Sequence, residues 1–123
     1  MKIVITAEDK SPDSAVDPRF GRARWFIVAD TETGSFEAVD NSDNLNATHG
    51  AGPMAAKQAV STGAEIVITG NCGPNAFRAL DAAGIDVITN ASGTVRDVVE
   101  KFKKGELQKT ERPNVAGHWK GIK

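Results

Sequence analysis

One stretch, residues 65–77, constrains the fold more than any other part of the chain. It runs from three consecutive β-branched residues, Ile66–Ile68, through a turn containing Gly70 and the single cysteine, Cys72, to Pro74. A continuous β-branched run is typical of a strand buried on both faces, and proline is favoured in the first turn of a helix because it lacks an N–H donor. The stretch therefore predicts a strand, a glycine loop and a helix whose N-terminus can hold an anion.

The rest of the chain continues this alternation of strands and helices. Apolar runs and breakers predict strands over residues 2–7, 24–30, 35–40, 66–68 and 85–89, and helices over residues 53–62, 74–83 and 95–104. Because parallel strands need crossover helices, this order predicts an α/β fold, a three-layer α/β/α domain with a mixed five-stranded sheet. We expect one domain over residues 1–104, followed by a flexible C-terminal tail over residues 105–123.

Composition narrows the class of protein. A chain of 123 residues with 40% hydrophobic composition suits a single domain, and a net charge of −1 gives no global attraction to nucleic acid or anionic membranes. One cysteine cannot form an internal disulfide, and no apolar run is long enough to span a bilayer. We therefore expect a cytoplasmic protein that binds neither nucleic acid nor membranes.

The predicted sheet places several polar and glycine-rich loops along one edge. If the first, third, fourth and fifth strands share a direction, the loops that follow them open on the same side, where open α/β sheets bind ligands. Backbone N–H groups, arginines and amides there suit a compact anion. The candidate binding residues are Arg19, Arg22, His49, Gly50, Gly52, Gly70, Asn71, Cys72, Gly73 and Asn75.

Cys72 and His49 are the candidate metal ligands in this set. A thiolate suits Cu(I) or iron, and an imidazole is a borderline ligand. The alternatives are that Cys72 is a small buried hydrophobe and that His49 is a solvated loop residue. A nucleophilic Cys72–His49 pair is a further alternative, but nothing in the sequence fixes its geometry, so we expect a protein that is not an enzyme.

Other ligand classes can be tested against the same residues. Residues 50–55 match G-x-G-x-x-A but do not follow the first strand, so a dinucleotide site is disfavoured. Only Phe20 lies near the arginines, and nucleic-acid surfaces usually interleave several aromatic residues with basic ones. A small-anion or nucleotide-binding regulatory module remains the alternative function.

Three stretches together carry a family resemblance: residues 16–23, residues 50–52, and residues 68–77 with residues 82–87. In order and spacing they resemble the dinitrogenase iron-molybdenum cofactor family, the small NifX-like carriers of nitrogenase metal clusters, over about residues 1–104. The resemblance implies a ribonuclease-H-like fold without nuclease activity. Relatives outside nitrogen fixation include the orange protein of sulfate reducers, which holds a molybdenum-copper sulfide cluster non-covalently.

The resemblance also implies a function. We expect binding and delivery of an anionic metal-sulfide cluster, either an iron-molybdenum cofactor precursor or a molybdenum-copper sulfide cluster, held non-covalently or by weak ligation. The implied partners are proteins that donate or accept metal clusters, and the implied state is a monomer or weak dimer. Ligation by Cys72 is not implied, because many relatives carry a small or apolar residue there.

Overall fold

The five strands form one mixed sheet in the order β3-β2-β1-β4-β5 in this computed structural model, which describes residues 1–44 and 50–111. β1 pairs antiparallel with β2 and parallel with β4, β2 pairs antiparallel with β3, and β4 pairs parallel with β5. β1, β3, β4 and β5 therefore share a direction, as predicted. The strands are Lys2–Ala7, Trp25–Asp30, Phe36–Asp40, Ile66–Ile68 and Asp86–Ile88.

Three helices cover the two faces of the sheet. They are α1 (Ala51–Ser61), α2 (Pro74–Ala82) and α3 (Val95–Lys103), with short 3₁₀ turns at Phe20–Arg22 and Ser42–Asn44. The predicted mixed five-stranded α/β architecture is confirmed, and the strand order is compatible with the ribonuclease-H-like label. The main difference is that α1 begins two residues before the predicted start at Pro53, because Gly50 takes a left-handed φ of 77° as its N-cap.

Alternation along the strands divides the core into two layers. Val4, Phe26 and Val67 face α1 and α2, whereas their neighbours Ile5 and Ile68 face α3. β1 and β4 are buried on both sides, as their uninterrupted β-branched sequences predict. The central strands are thereby fixed in register, and the loops at their carboxyl ends are held at one edge.

The start of the predicted tail lies against β5. The backbone N–H of Thr110 donates to the carbonyl of Val87 at 2.6 Å, and the Thr89 N–H donates to the Thr110 hydroxyl at 2.9 Å. Lys109 forms an ion pair with Asp86 at 3.5 Å. Residues 112–123 lie outside the described part of the chain, so the division into a domain over 1–104 and a tail over 105–123 stays a prediction.

Candidate functional site

The long loop after β1 returns across the carboxyl ends of the two central strands. The Asp17 N–H donates to the Thr6 carbonyl at 2.9 Å, and the Thr6 hydroxyl donates to the Asp17 carbonyl at 2.7 Å. The Thr6 hydroxyl also lies 2.8 Å from that of Thr69 at the end of β4. These buried polar groups satisfy one another, so the loop is held in a defined position above the sheet.

The same loop is joined to the turn after β4. The side-chain amide of Asn71 donates to the Pro18 carbonyl at 3.1 Å, and the Phe20 N–H donates to the Asn71 carbonyl at 3.2 Å. A Cβ added to Gly70 would lie 2.7 Å from the Cα of Pro18. Only glycine permits this approach between two backbones. Gly70 and Asn71 therefore join the turn after β4 to the loop after β1.

Two further glycines bring the helices together beside this loop. A Cβ on Gly21 would meet backbone atoms of Gly52 at 3.3 Å, and a Cβ on Gly52 would meet the Ala76 Cβ at 3.1 Å. The 3₁₀ turn, α1 and α2 consequently meet almost at backbone contact. Their N-terminal ends lie side by side as a result.

A cleft of about 270 Å³ lies where these ends meet, and we call it the N-terminal cleft. Its lining consists of Gly21, Arg22, residues 50–53 and residues 73–76. Both helix N-caps are glycines, Gly50 and Gly73, so neither has a side chain that could cap the first turn. Because the first N–H groups of a helix have no intrahelical partner, the cleft offers backbone donors and the positive ends of two helix dipoles.

The electrostatics of the cleft favour an anion. Arg22 is the one charged side chain among its described lining residues, and neither α1 nor α2 has an acidic residue in its first turn. Arg19 is largely exposed nearby, with its Nε 3.4 Å from an Asp17 carboxylate oxygen. The same Asp17 oxygen accepts the Arg19 backbone N–H at 2.9 Å, so this buried carboxylate shapes the loop.

The predicted site residues thus fall into distinct groups. Five of them line the N-terminal cleft: Arg22, Gly50, Gly52, Gly73 and Asn75. Gly70 and Asn71 do not line the cleft but hold the loop after β1 at Pro18, and Arg19 lies on that loop with an exposed side chain. His49, predicted as a metal ligand, lies outside the described residues. No cluster of three or more His, Cys, Asp or Glu side chains that could hold a metal ion occurs within residues 1–44 and 50–111.

Cys72 is placed in the apolar layer and does not line the cleft. It is 1% exposed and packs in the cluster between the sheet and helices α1 and α2. Burial raises the pKa of its thiol to about 12. At neutral pH the group is therefore the protonated thiol, whereas metal ligation and nucleophilic attack both need the thiolate. The burial of Cys72 favours the alternative in which its side chain acts as a small buried hydrophobe. Metal ligation by Cys72 stays an untested hypothesis.

Comparison with protein families identifies the family of this chain. The model of the family described as "Dinitrogenase iron-molybdenum cofactor" matches residues 1–105. The chain belongs to the dinitrogenase iron-molybdenum cofactor family. The match includes every residue that lines the N-terminal cleft.

Two solved structures are similar to this chain in both sequence and fold. The apo form of the orange protein from Desulfovibrio gigas is 44% identical with a TM-score of 0.90, covering 92% of this chain and 95% of that one. A putative NifB protein from Thermotoga, solved by NMR, is 39% identical with a TM-score of 0.76, covering 88% and 91%.

An uncharacterised protein of Methanocaldococcus jannaschii is 28% identical over 113 residues, which are 90% of this chain and 92% of that protein. These three proteins each match 88% or more of this chain. Among the described residues, no helix is both long and apolar enough to cross a bilayer.

Sequence reasoning left five of the described lining residues out of the candidate set: Gly21, Ala51, Pro53, Pro74 and Ala76. Ala51 belongs to the first turn of α1 because this helix starts earlier than predicted. The contact of Gly52 with Ala76 was also absent from the expectations, because it joins segments 24 positions apart. Glycine at Gly50 was the available clue, since glycine with positive φ is favoured where a chain turns sharply into a helix.

Proposed function

We propose that this protein binds an anionic metal-sulfide cluster in the N-terminal cleft and delivers it to another protein without catalysing a reaction. The observation that carries the proposal is the pair of glycine-capped helix N-termini facing one cleft whose only charged lining side chain, among the described residues, is Arg22. Family membership supplies the class of cargo, either an iron-molybdenum cofactor precursor or a molybdenum-copper sulfide cluster.

The donors in the cleft match the surface of such a cluster. Sulfide atoms at the surface of an anionic cluster accept hydrogen bonds, and the described lining offers backbone N–H groups, the Asn75 amide and the Arg22 guanidinium. These donors can hold an anionic cluster by hydrogen bonds, without forming metal–ligand bonds. A carrier has to release its cargo, so weak or absent covalent ligation favours transfer.

The size of the cleft also favours a compact cargo. Pockets for drug-sized ligands usually enclose roughly 300–1,000 Å³, and the N-terminal cleft has about 270 Å³. A compact anion therefore fits the cleft, and family membership ranks the cluster carrier above the small-anion or nucleotide-binding regulatory module.

Non-catalytic carriage agrees with the state of the cysteine. A thiol with a pKa near 12 provides no nucleophile at neutral pH. The proposed partners are proteins that load or receive the cluster, and the proposed setting is the cytoplasm, with the protein acting as a monomer or weak dimer.

Anaerobic reconstitution tests the proposal. Apo-protein is incubated with tetrathiomolybdate and Cu(I), and in a second arm with an iron-molybdenum cofactor precursor, then desalted and analysed for metals, sulfide and visible absorption. We expect one of the two clusters to remain bound at a fixed stoichiometry. Binding should weaken by about tenfold in Arg22→Gln, because a hydrogen bond from a charged donor is lost.

The control is Lys101→Gln, which makes the same change of charge on the exposed surface of α3, on the opposite face of the sheet. Equal losses in both variants would mean that Arg22 acts only through net charge. Failure of the wild-type protein to retain either cluster would refute the carrier proposal. Binding of phosphate or ATP under the same conditions would then support the regulatory alternative.

A further inference from the structure

Asn75 is the side-chain amide in the described wall of the N-terminal cleft. It is the second residue of α2, and side chains in the first turn of a helix lean toward its N-terminus. An amide can present either its carbonyl oxygen or its NH₂ group, and these have opposite effects on an anion. The orientation of Asn75 therefore decides whether it attracts or repels the cargo.

Arg78 contacts this amide from one turn further along α2. Its Nη1 lies 3.4 Å from the Asn75 Oδ1, and residues three apart share one face of a helix. A guanidinium only donates hydrogen bonds, so the amide group it contacts must be the carbonyl oxygen. The contact therefore places the amide oxygen toward Arg78 and the NH₂ group away from it.

We infer that Arg78 is a positioning residue for the cargo: it holds the Asn75 oxygen so that the amide NH₂ is presented to the anionic cluster in the N-terminal cleft. This inference rests on the proposed function. The Arg78 side chain is exposed and is absent from the described cleft lining, so it acts through Asn75. The amide becomes a fixed hydrogen-bond donor, beside the backbone donors of the two helix ends.

A double-mutant cycle on the full chain separates this role from a simple effect of charge. Cluster affinity is measured, by the reconstitution described above, for wild type, Arg78→Met, Asn75→Ala and the double variant. We expect each single variant to bind on the order of threefold to tenfold more weakly, the worth of one hydrogen bond. Arg78→Met should have little further effect once Asn75→Ala is present.

The Asn75→Asp variant separates cluster binding from thermal stability. If Asn75 had only a structural role, binding would follow stability. A carboxylate in the first turn of α2 interacts favourably with the helix dipole and keeps the contact with Arg78, so thermal stability should be unchanged or higher. Cluster binding should nevertheless fall further than in Asn75→Ala, because the donor is replaced by a negative charge. Preserved binding in Asn75→Asp would overturn the inference.

Two other outcomes are also decisive. If the wild type binds the cluster and Arg78→Met weakens binding equally with and without Asn75, then Arg78 acts through charge alone and the inference is wrong. A Lys57→Met variant, with the same change of charge on the exposed side of α1, calibrates that effect. If the wild type binds no cluster, the proposed function itself fails, which is a different result from a cycle without coupling.

Discussion

The N-terminus of α3 differs from those of α1 and α2 in how its donors are used. The Thr94 hydroxyl accepts the Asp97 N–H at 3.1 Å, and the N–H groups of Val95 and Arg96 donate to carbonyls of the long loop after β1 at 3.0 and 2.8 Å. The first turn of α3 is therefore satisfied by its own N-cap and by this loop. α1 and α2 have glycine N-caps and no acidic residue in their first turns.

This difference distinguishes a structural helix end from one available to a ligand. At α3, the Thr94 side chain and the loop after β1 accept hydrogen bonds from the first backbone N–H groups. The Asp97 carboxylate also interacts favourably with the positive end of the helix dipole. At α1 and α2 the equivalent groups line the cleft. A helix N-terminus therefore stabilises the fold at α3, on one face of the sheet. On the other face, the N-termini of α1 and α2 offer backbone N–H donors to a ligand.

Introducing an acidic residue into the first turn of α1 should produce the largest loss of cluster affinity. The first turn of α1 would then carry a carboxylate, as the first turn of α3 does. Pro53 is exposed in the first turn of α1 and lines the cleft, so Pro53→Glu introduces a carboxylate there without displacing core atoms. We expect cluster affinity to fall on the order of thirtyfold, about 2 kcal/mol, from repulsion in a partly screened site. Measurement is by cluster titration under anaerobic conditions.

The matched control is Gln58→Glu, which adds the same charge further along α1, where Gln58 lines an outer groove. Its effect on affinity should be several times smaller. If Pro53→Glu bound the cluster as tightly as wild type, the cleft between the two helix ends would not be where the cargo sits.

The second prediction concerns Cys72, immediately before the N-cap of α2. A helix N-terminus ordinarily lowers a thiol pKa, yet burial raises the pKa of this thiol to about 12 from a reference of 9.0. Above pH 9 the unfolded chain loses the thiol proton while the folded chain keeps it, so stability falls as pH rises. Between pH 8 and pH 10 the loss is about 1.4 kcal/mol.

Urea unfolding of wild type and Cys72→Ala at pH 8, 9 and 10 measures this loss. The difference in unfolding free energy between the two proteins should shift by that amount in favour of the variant as the pH rises. Parallel curves for both proteins would contradict a protonated buried thiol. Cluster uptake at pH 7.5 should be retained in Cys72→Ala, whereas loss of uptake would support the ligand hypothesis.

The smallest expected effect is on the capped helix. Thr94→Ala removes the side-chain acceptor of the Asp97 N–H and should lower the unfolding free energy by about 1 kcal/mol. Thr94→Ser keeps a hydroxyl and should lose less. Cluster affinity should stay at the wild-type level in both variants, as measured by titration. A large loss of affinity in Thr94→Ala would mean that the two faces of the sheet are coupled.

Sequence patterns predicted the architecture because the strongest patterns were local. Consecutive β-branched residues identified the buried strands β1 and β4, and an apolar run with a breaker predicted α3 over residues 95–104, where the structure has Val95–Lys103. The edge of the sheet that carries the cleft followed from strand direction alone. The start of α1 was misplaced because Pro53 suggested a first helical residue, whereas Gly50 ends the preceding loop.

Contacts between distant segments could not be predicted in this way. The burial of Cys72 depends on how α1 and α2 pack together on the sheet, and its position in a loop gives no measure of that. The pairing of Pro18 with Asn71 joins segments 53 positions apart. The contact between Arg78 and Asn75 is a local one, because residues three apart share one face of a helix.

The close approach of Gly21, Gly52 and Ala76 bears on the kinetics of cargo exchange. Walls built largely from backbone and small residues have few rotatable bonds to immobilise when a ligand arrives, so little conformational entropy is lost on binding. A preformed recess of this kind reaches useful affinity from modest individual contacts. Apart from Arg22, release then requires no rearrangement of long side chains, which suits the proposed role of a carrier.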